Sequence, residues 1–202
     1  MIFVRKYYAY ILIAVLMAAV LLAGCASGSK EASDVDDSWD KVKHKGQFVM
    51  GLDDSFPPMG FRDENNEIAG FDVDTAKEVC SRLGLELVLQ PIDWDTKEHE
   101  LDTGKVDCIW NGFTINDERK EKVLFSEPYM NNRQVLVVKG DATYSKLSDL
   151  EGKKLALQAG SSAADALSAN EDFKSKLKQV VEFSENMTAL MDLEKGGVGT
   201  VL

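Results

Sequence analysis

In the stretch 112–129, "GFTINDERKEKVLFSEPY", Thr114 stands five residues before Arg119. A guanidinium carries a rigid fork of N–H donors that fits a carboxylate two bonds at a time, so Arg119 is a candidate receptor for an anion. The plainer alternative is a solvated arginine paired with Glu118 or another neighbour at helical spacing. A second polar cluster, "LQAGSSAADAL", brings together Gln158, Gly160, Ser161 and Ser162. Ser162 reads as a helix cap with Asp165 three residues on, and Gly160 lets the chain turn so that backbone N–H groups face an incoming carboxylate. A third set follows other strand ends: Asp53 after "VMGL", and Asn111 and Gly112 after "DCIW". Asp53 either caps a turn or meets the cationic end of a ligand. Phe56, Trp94 and Trp110 sit at or just past strand ends, where rings either wall an apolar slot or fill a core. Metal and triad chemistry find little support, because His44 and His99 are the only histidines and lie far apart; no metal and no cofactor are expected.

These residues must be positioned by an alternating series of elements. "QFVMGLD" reads as a buried strand and "SFPPMGFRDENNEIAG" as an irregular loop with turn signals. "FDVDTAKEVCSRLG" switches to helical period, with Asp72 or Asp74 as the cap and Gly84 as the stop. "LELVLQPI", "TKEHELDTG" and "KVDCIWNGF" then read as strand, helix and strand. Further on come a strand "RQVLVVK", a short helix "SKLSDLEG", a strand "KKLALQA", a helix "SSAADALSAN", a strand "KQVVEFS", a helix "NMTALMDLEKG" and a strand "VGTVL". Alternation of this kind predicts an α/β fold with mostly parallel sheets.

The N-terminus has its own logic. "MIFVRK" is basic, an apolar run follows, and "LAGC" ends in Cys25. This looks like a lipoprotein signal peptide over 1–24 with lipidation at Cys25, followed by a flexible acidic tether over 25–44. The chain of 202 residues carries a formal net charge of −11, with Arg5 and Lys6 concentrated in the leader. That acidity disfavours nucleic acid or an anionic membrane surface as the main partner. Cys80 and Cys108 remain, read as two buried thiols rather than a disulfide.

"EIAGFDVDTAKEV", "DCIWNGFTINDERKEKVLFSEPYM" and "LSDLEGKKLALQAGSSAADAL" together resemble the bacterial extracellular solute-binding proteins of family 3, amino acid receptors of ABC importers. The resemblance implies a two-lobe, type II periplasmic-binding (Venus flytrap) fold, with lobe 1 over 45–132 and lobe 2 over 133–202. It implies that Arg119, Thr114 and the backbone near Gly112 and Ser162 hold an α-carboxylate. Asn111 and Ser161 add polar contacts beside Gln158, while Phe56, Trp94 and Trp110 wall the slot and Asp53 serves as a weak guide to the side chain. Family members normally hold the α-ammonium with an acid just past the strand that here reads "VGTVL", where the sequence stops, so a truncated second lobe without the return crossover is expected. The implied function is a monomeric, extracytoplasmic, membrane-anchored receptor for a free amino acid that serves ABC importer permease subunits. An enzyme on the same fold, of the cyclohexadienyl or arogenate dehydratase kind, and an extracellular sensor domain are the alternatives.

Overall fold

The structure, a computed structural model, describes residues 36–202. The leader, Cys25 and most of the tether lie outside the described residues. The tether assignment needs one correction, because Ser38–Lys45 forms a helix (α1). Asp40 in its first turn and Lys43, His44 and Lys45 in its last complement the helix dipole, and Val42 is buried, features that a polar composition conceals.

Three strands make the N-terminal sheet, in the order β5-β1-β6 and all parallel: β1 (Gln47–Leu52), β5 (Glu86–Pro91) and β6 (Cys108–Ile109). Met50 and Leu52 project from β1 onto Val73 and Ala76 of helix α2 (Phe71–Leu83), with Leu87, Leu89, Cys108 and Trp110 around them. The loop between β1 and α2, read as irregular from its prolines and turn residues, contains a small antiparallel sheet: β2 (Ser55–Phe56), β3 (Gly60–Arg62) and β4 (Ile68–Ala69). Strands of two or three residues carry too little alternation to stand out from a loop.

Gly70 opens α2 with φ 135° and ψ 171°, a region that only glycine occupies readily. A Cβ there would collide with the carbonyl of Met59. No side chain caps this helix. Asp72, read as a candidate cap, turns inward instead and is 0% exposed. The backbone carbonyls of Pro58 and Met59 accept the N–H groups of Phe71 and Asp72 at 2.9 and 3.1 Å, so a carboxylate cap is redundant.

A short 3-10 turn (Trp94–Thr96) leads into α3 (Lys97–Asp102), and α4 (Asp117–Lys120) follows β6. The C-terminal sheet runs β8-β7-β9, again parallel: β7 (Lys154–Gln158), β8 (Gln179–Phe183) and β9 (Thr200–Val201). Leu155 and Leu157 face Leu150, Ala163, Leu167 and Phe173 on one side. Ala156 meets Ala189, Leu193, Val198 and Val201 on the other. Helices α5 (Ser162–Ser168), α6 (Glu171–Lys176) and α7 (Asn186–Lys195) supply the cover that a parallel sheet requires on both faces. Helix α6 was not foreseen; it is one and a half turns long and buries only Phe173, too little for a periodic signal.

The expected strand at 133–139 is a correction as well. Leu136 and Val138 do pack on the C-terminal core while Val135 and Val137 point outward, so the period-two pattern is real. The partner strand β9 spans only Thr200–Val201, however, and the pairing reduces to one bridge, Val137 with Val201.

Candidate functional site

Arg119 is 5% exposed, which removes the solvated-arginine reading. Its helix is capped by Asn116, whose side-chain oxygen accepts the Arg119 N–H at 2.8 Å. The guanidinium lies over the Phe113 ring at 4.6 Å and donates to the Thr114 carbonyl at 3.0 Å. It also reaches the C-terminal sheet, donating to the Gly160 carbonyl at 3.3 Å and approaching Asp165 at 3.7 Å. Desolvation lowers its pKa, and Asp165, Glu98 and Glu118 oppose that shift.

Ser161, rather than Ser162, caps α5, accepting the N–H of Ala164 at 3.4 Å. The cap assignment therefore moves back one residue, since Gly160 at φ 62° completes the turn directly before it. Ser162 is released to face the other sheet: it donates to Thr114 Oγ1 at 3.2 Å and accepts from Gln134 at 2.8 Å. Asn116 and Asp165 add a further bond at 3.1 Å.

Asp53 and Gln158 meet as well. The Asp53 backbone N–H donates to Asn111 Oδ1 at 3.2 Å, while Ser55 donates to one Asp53 carboxylate oxygen and Gln158 Nε2 to the other at 2.7 Å. Gln158 is held in turn by the Ser184 carbonyl and the Asn186 side chain. Asp53 thus spends its charge on fixed neighbours within the protein. Asn111 Nδ2 is buried with no acceptor among the described residues.

Asp72 holds the loop that carries these groups. Its two carboxylate oxygens accept the Gly112 N–H at 2.7 Å and the Tyr129 hydroxyl at 2.9 Å, so one buried acid fixes both the start of the Thr114 loop and the chain after Pro128. Burial raises its pKa, and the hydrogen bonds from Tyr129 and Gly112 act the other way.

A model of the bacterial extracellular solute-binding proteins, family 3, matches residues 48–195. The chain belongs to this family. It is 33% identical over 188 residues to the L-cystine-binding protein TcyJ of Escherichia coli, a match covering 92% of this chain and 68% of that protein. Among solved structures it resembles a substrate-binding protein of an ABC uptake transporter from Streptococcus pneumoniae with bound histidine, at a TM-score of 0.80 and 40% identity over 83% of this chain and 69% of that one. It also resembles the ancestral amino acid-binding protein AncCDT-1, described as a precursor of cyclohexadienyl dehydratase, at a TM-score of 0.75 and 32% identity over 80% of this chain and 71% of that one. The fold is the type II periplasmic-binding architecture, and the chain is a solute-binding protein rather than an enzyme.

In this family-3 protein the aromatic residues divide. Trp94 is buried and meets Phe113 edge-on at 5.6 Å, while Phe113 packs on Phe125 at 5.4 Å, so these rings line the Arg119 side of the site. Trp110 instead packs against the N-terminal core and contacts Tyr129. A groove of about 720 Å³ opens beside β6 and takes in Phe56, Trp110, Gly112 and Thr114, but not Asp53, Arg119, Gln158, Ser161 or Ser162. The residues predicted from sequence therefore fall into two neighbouring places. Cys80 and Cys108 are free thiols, and desolvation, with Asp107 and Cys80 nearby, pushes Cys108 up to about 12.

Sequence reasoning missed Lys97, which is 3% exposed and donates to the carbonyls of Trp94 at 3.0 Å and Gly160 at 2.9 Å. No local signal marks it: a lysine that opens a helix is ordinarily solvated, and the acceptor that withdraws this one, the Gly160 carbonyl, lies 63 residues away.

Proposed function

We propose that this chain is an extracytoplasmic receptor, lipid-anchored at Cys25, that captures a free amino acid between lobes divided near 132–133 and delivers it to an ABC importer permease. The observation that carries the reading is the buried Arg119 guanidinium, set where both sheets meet and flanked by Thr114 and the α5 start. A ligand α-carboxylate would take two of its donors, with Thr114 and Ser162 adding hydroxyls. The relatives reported above, a cystine-binding protein and a receptor with bound histidine, support an amino acid as ligand.

Calorimetric titration against the twenty amino acids and cystine tests this. At least one should bind, and Arg119→Ala should weaken it by about 3 kcal/mol, because truncating one partner of a buried charge pair costs ~2–5 kcal/mol. Absence of binding to every amino acid would sink the reading. The anchor is tested separately, by mass spectrometry of membrane-extracted protein: an N-terminal peptide beginning with acylated Cys25 is expected, and an unprocessed Met1 argues against it.

A further inference from the structure

Lys97 and Arg119 are both almost fully buried, and both donate to one acceptor, the Gly160 carbonyl, at 2.9 and 3.3 Å. They also share an aromatic wall: Lys97 lies over Trp94 at 5.4 Å and Phe113 at 6.0 Å, and Arg119 lies over Phe113 at 4.6 Å. The remaining contacts of Lys97 are the Trp94 carbonyl and Glu98, 3.3 Å away, with Asp95 contributing at longer range. Arg119 faces Asp165 at 3.7 Å. A surface lysine tie would leave the ammonium in water, whereas this one is withdrawn beside a second cation, an arrangement that needs a strong acceptor in common.

A peptide carbonyl is neutral and has two lone pairs, both already engaged by the two cations. A carboxylate offers about four acceptor positions and a full charge. The Gly160 carbonyl comes from the opposite sheet at the turn before α5, at φ 62°, where a Cβ would stand 2.9 Å from Asp95 Oδ1. Only glycine lets the carbonyl be brought this close to the cations.

Resting on the amino acid reading above, we propose that Lys97 is a second carboxylate-gripping residue of the site, sharing one ligand carboxylate with Arg119 in the place the Gly160 carbonyl holds. Arg119 then supplies directionality through its fork, and Lys97 supplies a compact second charge from the Trp94 side. The class of ligand follows: a free α-carboxylate is required, and amides or esters of the same amino acid are poor ligands.

The test compares wild-type protein with Lys97→Met and Lys97→Arg, titrating the twenty amino acids and cystine, each beside its α-amide. Methionine keeps the aliphatic stem against Trp94 and Phe113, and thermal unfolding of each variant checks the fold. Lys97→Met should weaken the free amino acid by roughly 10- to 100-fold, the value of a charged hydrogen bond, and leave the amide within about twofold; Lys97→Arg should restore most of the loss. Equal losses for acid and amide, or no loss, would make Lys97 a structural tie to Gly160 and overturn this inference alone. No binding to wild-type protein would overturn the function reading and this inference with it.

Discussion

Asp72 shows how one buried acid can hold the loop of a candidate site in place. It joins Gly112 to Tyr129 through a carboxylate that water does not reach, and burial raises its pKa above the ordinary 3.8. A carboxyl with a raised folded pKa favours the folded state most when protonated, so its contribution is complete below pH 3.8 and is lost as pH rises through the higher folded value. Asp72→Asn retains an acceptor and cannot ionise. Urea unfolding from pH ~3.5 to ~7 should therefore show a flatter stability profile for the variant, and parallel profiles would contradict the assignment. The sequence marked Arg119 and Thr114 as candidates while leaving a solvated arginine open, and only the burial of Arg119 removes that alternative. Lys97 and the inward turn of Asp72 were not legible, since each sits at a helix start where a charged residue is ordinarily solvated. Tertiary contacts with Gly160, Gly112 and Tyr129 decide their burial, and these lie 40 to 63 residues away.

At the scale of elements, "GFDVD" works as one piece. Gly70 makes a turn that brings α2 against Met59, Asp72 reaches the Gly112 loop, and Val73 joins Ala76 under β1. Gly70→Ala should cost about 2 kcal/mol or more, combining an unfavourable φ,ψ with the Met59 collision; calorimetric unfolding with an unchanged melting temperature would refute this account. Most of the framework was readable: β1, α2, β5, β7, α5, β8 and α7 are long enough to express their periods. The elements that escaped are short. The three strands after Leu52 pair with one another across short loops but are too brief to alternate, whereas the burial of Phe173 in α6 and the bridge of Val137 to Val201 depend on partners elsewhere in the chain, which local pattern does not report.

At the scale of the molecule, two parallel sheets are joined by one exposed stretch and by the side chains of the site. Among the described residues, no backbone-to-backbone hydrogen bond involves residues 124–136, and Leu124 is 93% exposed, with Met130 and Val135 also outside. Backbone without such bonds is where proteases cut first, so limited chymotrypsin digestion should yield its earliest fragments from cleavage within 124–136; initial cleavage in β7 or α2 would contradict that. The bonds that hold the sheets together have a further meaning. If a ligand is captured between the sheets as proposed, Asp53 with Gln158, Ser162 with Thr114, Asn116 with Asp165 and the two cations on Gly160 are the bonds that stand across its path. Entry would then be a two-step event in time. On the proposed function, the capture rate should rise with concentration at low solute and level off at the rate of parting at high solute, so these few bonds would set a ceiling on loading; stopped-flow binding that stays linear in solute would contradict it.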